Sequence, residues 1–304
     1  MSLEIFISSL IETIPSDNIP YEIDLVLDGG AFNGCYMLGS LFYLKHLESQ
    51  GKLSVKRISG CSIGAALGLV YMINKLDIAI NILRRGFKYL RKYQNIKHLV
   101  ELIKRNFYDI VDEDDLSIIN GRYYLTYFDT IKGTQVVKRH YSSRQDLLDC
   151  VLKSAYVPYM IDKNMTDHDG CVDGAFPYMF KRREGDRKIL FINLQSMDKI
   201  KNMFYIKNEK SIYPRIFEGL MDTHSFISTK NPTSMCSYVN DWSFIDIVMF
   251  RLREYIYTVL IYILRLGLQV DYILPSAWKH EPFVKKNMAV IKHLWRDVIL
   301  YISI

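Results

Sequence analysis

Ile23 to Leu27 is a short apolar run that ends at Asp28-Gly29-Gly30, and from Gly34 to Leu47 the apolar positions switch to helical spacing. The same order then returns at once. Leu53 to Ser59 alternates as a strand does, reaches Gly60-Cys61-Ser62-Ile63-Gly64, and leads into Ala65 to Ile73, an apolar stretch suited to a buried helix. Strand, glycine turn and helix repeated back to back predict an α/β fold whose parallel sheet is covered by helices. Ligands of such sheets bind beyond the carboxyl ends of the strands, which is where both glycine turns belong.

Asp77 to Phe107 reads as helical and is the most basic stretch, with Arg84, Arg85, Lys88, Arg91, Lys92, Lys97, Lys104 and Arg105 set against Asp77 and Glu101. A solvated helix face is the default for such charge, and docking on anionic headgroups is the functional alternative. Arg122 to Phe128 and Gln135 to Tyr141 flank Lys132-Gly133 as a hairpin does, and a helix capped by Ser143, with Asp146 in its first turn, is expected next. Lys188 to Leu194 reads as a further strand, followed by irregular chain to about Asn240. From Phe244 to Leu268 a narrow stripe of Arg251, Glu254, Thr258, Tyr262, Arg265 and Gln269 predicts an otherwise apolar helix whose surface needs cover. Val284 to Ile304, with Trp295, is a second amphipathic segment. The expected division is a helical segment over 1–22, a core over 23–200 and a mainly helical region over 201–304.

Charge limits the partners. The 39 basic and 33 acidic side chains leave +6, a mild excess that favours an anionic membrane surface and lacks the dense basic tracts of a nucleic-acid binder. The 5 cysteines, at 35, 61, 150, 171 and 236, are scattered without C-x-x-C spacing, so neither a disulfide framework nor a zinc site is expected and a reducing compartment fits. The N-terminal residues include Glu4 and Glu12 and lack the pattern of a secretory signal, while the apolar run Tyr255 to Leu264 is too short to span a bilayer. A cytoplasmic protein, soluble or peripheral to a membrane, is expected.

Three short motifs carry chemistry. Gly60-Cys61-Ser62-Ile63-Gly64 matches the G-x-S-x-G elbow, in which a sharp strand-to-helix turn lifts a serine hydroxyl out of the sheet edge and the next helix aims its positive end at it. Asp28 to Gly34 lacks the lysine of a P-loop and the second glycine of a dinucleotide fingerprint, so its glycine-rich backbone is better suited to an oxyanion. Cys171-Val172-Asp173-Gly174-Ala175 brings an aspartate to a tight turn, downstream of Ser154-Ala155-Tyr156-Val157-Pro158. Cys61 occupies an elbow position that points away from substrate and is assigned no chemistry. Asp112-Glu113-Asp114-Asp115 lacks the alternation of a calcium loop and reads as a solvated loop or helix start.

Together and in this order the motifs resemble the patatin-like phospholipases, from about Ile23 to Pro177. The resemblance implies a three-layer α/β/α fold with a mostly parallel sheet and a serine-aspartate dyad: Ser62 as nucleophile, Asp173 as general base, Gly29, Gly30 and Ala31 as the oxyanion loop, and Gly34, Gly60, Gly64, Gly174 and Ala175 as motif positions. It implies a phospholipid or other glycerolipid substrate and no metal or other cofactor in the chemical step. Asn33 departs from the arginine or lysine that many members carry there, and Ala31 from the commoner glycine. The competing readings are an α/β-hydrolase whose triad is completed by His224, His280 or His293, and a lipid-binding protein of the same fold without turnover. His168 reads as part of the polar turn Asp167 to Gly170.

Overall fold

A computed structural model describes residues 3–93, 97–158, 161, 164–181, 187–203, 205–206, 209–273, 282, 286 and 290. In chain order the elements are α1 (Leu3–Glu12), β1 (Glu22–Leu27), α2 (Gly34–Ser49), β2 (Ser54–Cys61), α3 (Ile63–Met72), α4 (Leu76–Tyr93), α5 (Lys97–Ile110), α6 (Asp115–Ile119), β3 (Tyr123–Asp129), β4 (Thr134–Lys138), α7 (Arg144–Ser154), β5 (Cys171–Asp173), β6 (Lys188–Ile192), α8 (Tyr213–Thr229), β7 (Cys236–Tyr238) and α9 (Phe244–Ile273). The sheet runs β4-β3-β2-β1-β6-β7, with β5 pairing β3. β1, β2, β3 and β6 are parallel; β4, β5 and β7 run against their neighbours.

This is the expected three-layer α/β/α arrangement, and the period-2 alternation of strand side chains accounts for its layers. Ile23, Leu25 and Leu27 of β1 enter the main core with residues of α1, α2, α3, α4, α7 and α8. Val26 points the other way and meets Ile189, Phe191 and, from α9, Phe250. Asp24 and Asp28 share that second face, where Asp24 pairs with Arg57 at 2.5 Å and Arg187 at 3.3 Å. The predicted cap forms as well: Ser143 Oγ accepts from the Asp146 N–H at 3.1 Å.

Two expectations change. The chain is not irregular up to Asn240, because α8 and β7 lie within that stretch. Pro214 and Gly219 disguise α8 as a broken segment, yet a proline in the first helical turn forfeits no hydrogen bond. Gly219 is needed where α8 crosses α2, since a Cβ there would collide with the Tyr36 carbonyl. The apolar surface of α9 is also less covered than its pattern demands: Phe250 and Ile261 are buried, while Ile245, Met249, Leu252 and Ile256 face outward. The amphipathic segment Val284 to Ile304 lies, apart from Lys286 and Val290, outside the described residues. No described helix is long and apolar enough to cross a membrane.

Candidate active site

Strand register brings the motifs together. Leu27 of β1 lies beside Gly60 of β2, so Asp28-Gly29 and Cys61-Ser62 leave the sheet side by side. β2 ends with Cys61 opposite Thr126 of β3. The next residue of β3, Tyr127, pairs with Asp173 of β5 on one side and Val136 of β4 on the other. With β4 filling one flank of β3, β5 takes the flank that β2 has just vacated, antiparallel and nearly end to end with it. The elbow and the aspartate therefore meet where β2 and the short β5 abut.

Ser62 joins β2 to α3 at φ 53° and ψ −129°. Its backbone N–H donates to Ser154 Oγ at 3.0 Å, and its hydroxyl is near enough to the Asp173 carboxylate to favour that group's charged form. Asp173 Oδ1 accepts from the Ala175 N–H at 2.8 Å, and the Asp173 N–H donates to the Tyr156 carbonyl at 2.9 Å. The stretch from Ser154 to Tyr156 thus supports both residues.

Among the described residues, the non-glycine positions with positive φ are Ala31, Ser62, Asn74, Ala175 and Lys230. Ala31, Ser62 and Ala175 are in the three motifs. Backbone strain persists only where surrounding structure enforces it, and it gathers at functional sites.

The elbow leaves no room for side chains at its glycines. A Cβ on Gly60 would lie 2.6 Å from the Gly64 carbonyl oxygen, and one on Gly64 would lie 2.6 Å from the Leu27 and Asp28 carbonyl oxygens. Gly64→Ala is expected to lower unfolding stability by about 3 kcal/mol or more, the upper range of overpacking. Gly51→Ala, at φ 66° but with open space around it, should cost only about 1 kcal/mol. Denaturant midpoints of the two variants check this; equal losses would mean that the elbow is looser than described.

Burial pushes the Asp173 carboxyl up from 3.8 to about 6, against the nearby Ser62 hydroxyl and the Ala175 hydrogen bond, which favour its charged form, and the charge of Asp28 adds to the rise. A base in that range is half to fully ionised near neutral pH and strong enough to accept a proton. Cys61 is fully buried with its thiol pushed far up by burial, which makes it inert.

His224, the described one of the three candidate third members, is engaged elsewhere, as are His46 and His168. His224 Nδ1 is hydrogen-bonded to the Tyr43 hydroxyl at 2.9 Å, His46 Nε2 to Ser8 Oγ at 2.7 Å, and exposed His168 sits between Asp167 and Asp169. His280 and His293 are outside the described residues. The acidic run is spent locally, with the Asp115 carboxylate accepting from the Asp112 N–H and that of Glu113 from the Arg144 N–H.

In the glycine loop, the Gly29 N–H turns inward to Asp28 Oδ1 at 3.0 Å. The Asn33 amide is buried and donates to the carbonyls of Leu194 at 2.8 Å and Lys199 at 2.9 Å, while its oxygen accepts from Arg215 of α8 at 3.1 Å. A cation thus reaches the Asn33 position from another helix.

Sequence reasoning missed the residues of α9 that hold this loop. Arg253 forks onto Asp28, with Nη1 to Oδ2 at 2.8 Å and Nη2 to Oδ1 at 3.2 Å. Tyr257, one turn on, donates to Gln195 Oε1, and Gln195 Nε2 donates to the Gly29 carbonyl at 3.0 Å. Burial raises the Asp28 carboxyl, opposed by Arg253 and by the N–H groups of Leu194 and Gly29. A guanidinium does not deprotonate, so at this bidentate distance the pair is ionised. The only sequence signal was a lone arginine beside the predicted polar stripe of an apolar helix.

No family model matches the chain. It is similar to omega-hydroxyceramide transacylase of Mus musculus and of Homo sapiens, at 21% identity over 159 residues in each case. The match covers 50% of this chain but only 26% of the mouse protein and 30% of the human one.

Proposed function

We propose that the chain is a lipid acyl hydrolase of the patatin-like type, cleaving acyl esters of phospholipids or other glycerolipids through Ser62 and Asp173. The observation that carries the reading is the convergence, where β2 and β5 abut, of a serine on a strained elbow with a carboxyl whose pKa is raised to about 6. Asp173 takes the hydroxyl proton as Ser62 Oγ attacks the ester carbonyl, and the oxyanion lodges against the loop of Gly29, Gly30 and Ala31. Because the Gly29 N–H is committed to Asp28, the N–H groups of Gly30 and Ala31 are the donors. Collapse of the tetrahedral intermediate expels the alcohol, which leaves with the proton from Asp173. A water activated by the same carboxylate then releases the acid and regenerates Ser62. Arg215, reaching Asn33 from α8, stands in for the cation that the family resemblance expects at that position.

The outward apolar face of α9, with Phe244 80% and Ile245 71% exposed, lies on the helix that braces the loop and suits a lipid surface. The names of the two similar proteins support acyl handling and favour one second reading, in which a lipid hydroxyl replaces water in clearing the acyl-enzyme.

The test is hydrolysis of a short-chain chromogenic ester, in which Ser62→Ala should lose at least about a hundredfold. A fluorophosphonate should also phosphonylate Ser62 with loss of fluoride, read by mass spectrometry of the peptide. An intact, folded protein that neither cleaves nor labels is a lipid binder, and the proposal fails. Added long-chain alcohol separates the two readings: a new ester marks transfer, free acid alone marks hydrolysis.

A further inference from the structure

On the α4 side of the molecule a cavity of about 670 Å³ is walled by Arg84, Arg85, Lys88, Arg91 and Lys92 of α4 and, from a segment more than a hundred residues later, Lys210. At 100° per residue the five α4 cations fall within about 120° of one helix face. The only acid in α4 is Asp77, in its first turn. No carboxylate therefore stands at i±3 or i±4 within the helix to offset the like-charge pair Arg84–Lys88, a pattern that works against the helix unless an anion covers it.

The rest of the cavity reinforces the charge. Buried Phe87 and Ile212 contribute apolar walls, which exclude water and sharpen the field of the cations around them. Glu209, the acid in the lining, is already committed to Arg215, with Arg215 Nε donating to its Oε2 at 2.7 Å. Arg91 is held in place by donation to the Ile206 carbonyl at 3.0 Å. A solvated helix face needs none of this: no second chain segment bringing a further cation, no apolar wall and no concavity.

We propose that this cavity is a binding site for a small, multiply phosphorylated ligand of the inositol phosphate class, separate from the ester-cleaving site and independent of whether Ser62 turns over. Its volume is that of a small-ligand pocket. Arginine forks and lysine ammoniums are the groups that recognise several phosphates at once. The same chemistry is offered by a soluble inositol phosphate and by the headgroup of a phosphoinositide.

Calorimetry with inositol hexakisphosphate on the full chain should give saturable binding that weakens as salt rises. Arg85→Glu combined with Lys88→Glu should weaken it at least tenfold. Lys104→Glu with Arg105→Glu, an equal change of charge on the exposed side of α5, should leave it within twofold. Circular dichroism melting of both variants verifies folding. Flotation with phosphatidylcholine vesicles, with and without a phosphatidylinositol bisphosphate, then identifies the source. Retention on the phosphoinositide vesicles, lost in the cavity variant, marks a lipid headgroup, whereas calorimetric binding without retention marks a soluble phosphate ester. Absence of saturable binding in both arms, or equal loss in the two charge reversals, would overturn the proposal. Fluorophosphonate labelling of Ser62 is expected to be the same in the cavity variant, so failure here and failure of the hydrolase reading are read separately.

Discussion

Asp173→Asn is expected to lower ester cleavage by about 10²–10⁴, the scale of a lost general base, while leaving the fold intact. Asparagine keeps the shape of the side chain and an oxygen able to accept the Ala175 N–H now held at 2.8 Å, but cannot take a proton from Ser62. In the intact protein the rate should rise tenfold per pH unit up to about pH 6 and level off above it, because burial has raised the Asp173 carboxyl to about that value.

Stability should run the opposite way. With the folded pKa raised above the ordinary 3.8, the folded form holds its proton after the unfolded chain has released it, so stability is lost as pH climbs from about 4 to about 6. Above that window the charged carboxyl costs about 3 kcal/mol, so Asp173→Asn should be more stable than the parent by up to that amount at pH 8 and no more stable at pH 3.5. Denaturant unfolding at the two pH values measures the difference. Retention of activity within threefold, or a rate that stays flat from pH 5 to 8, would remove Asp173 from the mechanism.

Arg253→Ala should produce the largest loss of stability, about 3–5 kcal/mol, because it strands the fully buried Asp28 carboxylate without its counter-charge. The same carboxylate holds the Gly29 N–H and, at 3.4 Å, that of Leu194, so the glycine loop should lose its alignment with Ser62. Turnover is then expected to fall by about 10²–10³, the effect of spoiling an oxyanion donor, with KM little changed.

Arg253→Lys separates charge from geometry. It should recover a good part of the stability but little of kcat, since an ammonium cannot reproduce the two-pronged contact. Adding Asp28→Asn to Arg253→Met removes the stranded charge and should restore most of the lost stability. A lysine variant with full kcat, or a double variant no more stable than Arg253→Ala, would show that Arg253 does not act on the loop through Asp28.

The parts of this molecule that depend on neighbours in sequence were legible without coordinates. β1, β2 and the helices after them follow from apolar period, and the elbow from glycines whose missing Cβ atoms a tight turn requires. The Ser143 cap and the Lys132-Gly133 hairpin are equally local. α8 was missed because its evidence is relational: Pro214 and Gly219 read as breakers until α2 is seen pressing against the glycine. Asn33 looked like a lost cation until Arg215, 182 residues later, was found against it.

By itself, then, the chain's order of residues determined that a glycine loop would stand at the end of one parallel strand, a serine at the end of the next, and an aspartate at a distant turn. Each is the outcome of backbone sterics and hydrophobic period within a few residues. Only the tertiary structure decided that β5 enters the slot β2 vacates, that the Asp173 carboxyl is desolvated enough for its pKa to rise, and that Arg253 reaches Asp28 across 225 positions of chain. Dielectric and long-range pairing depend on what surrounds a group in space, and no local pattern carries that information.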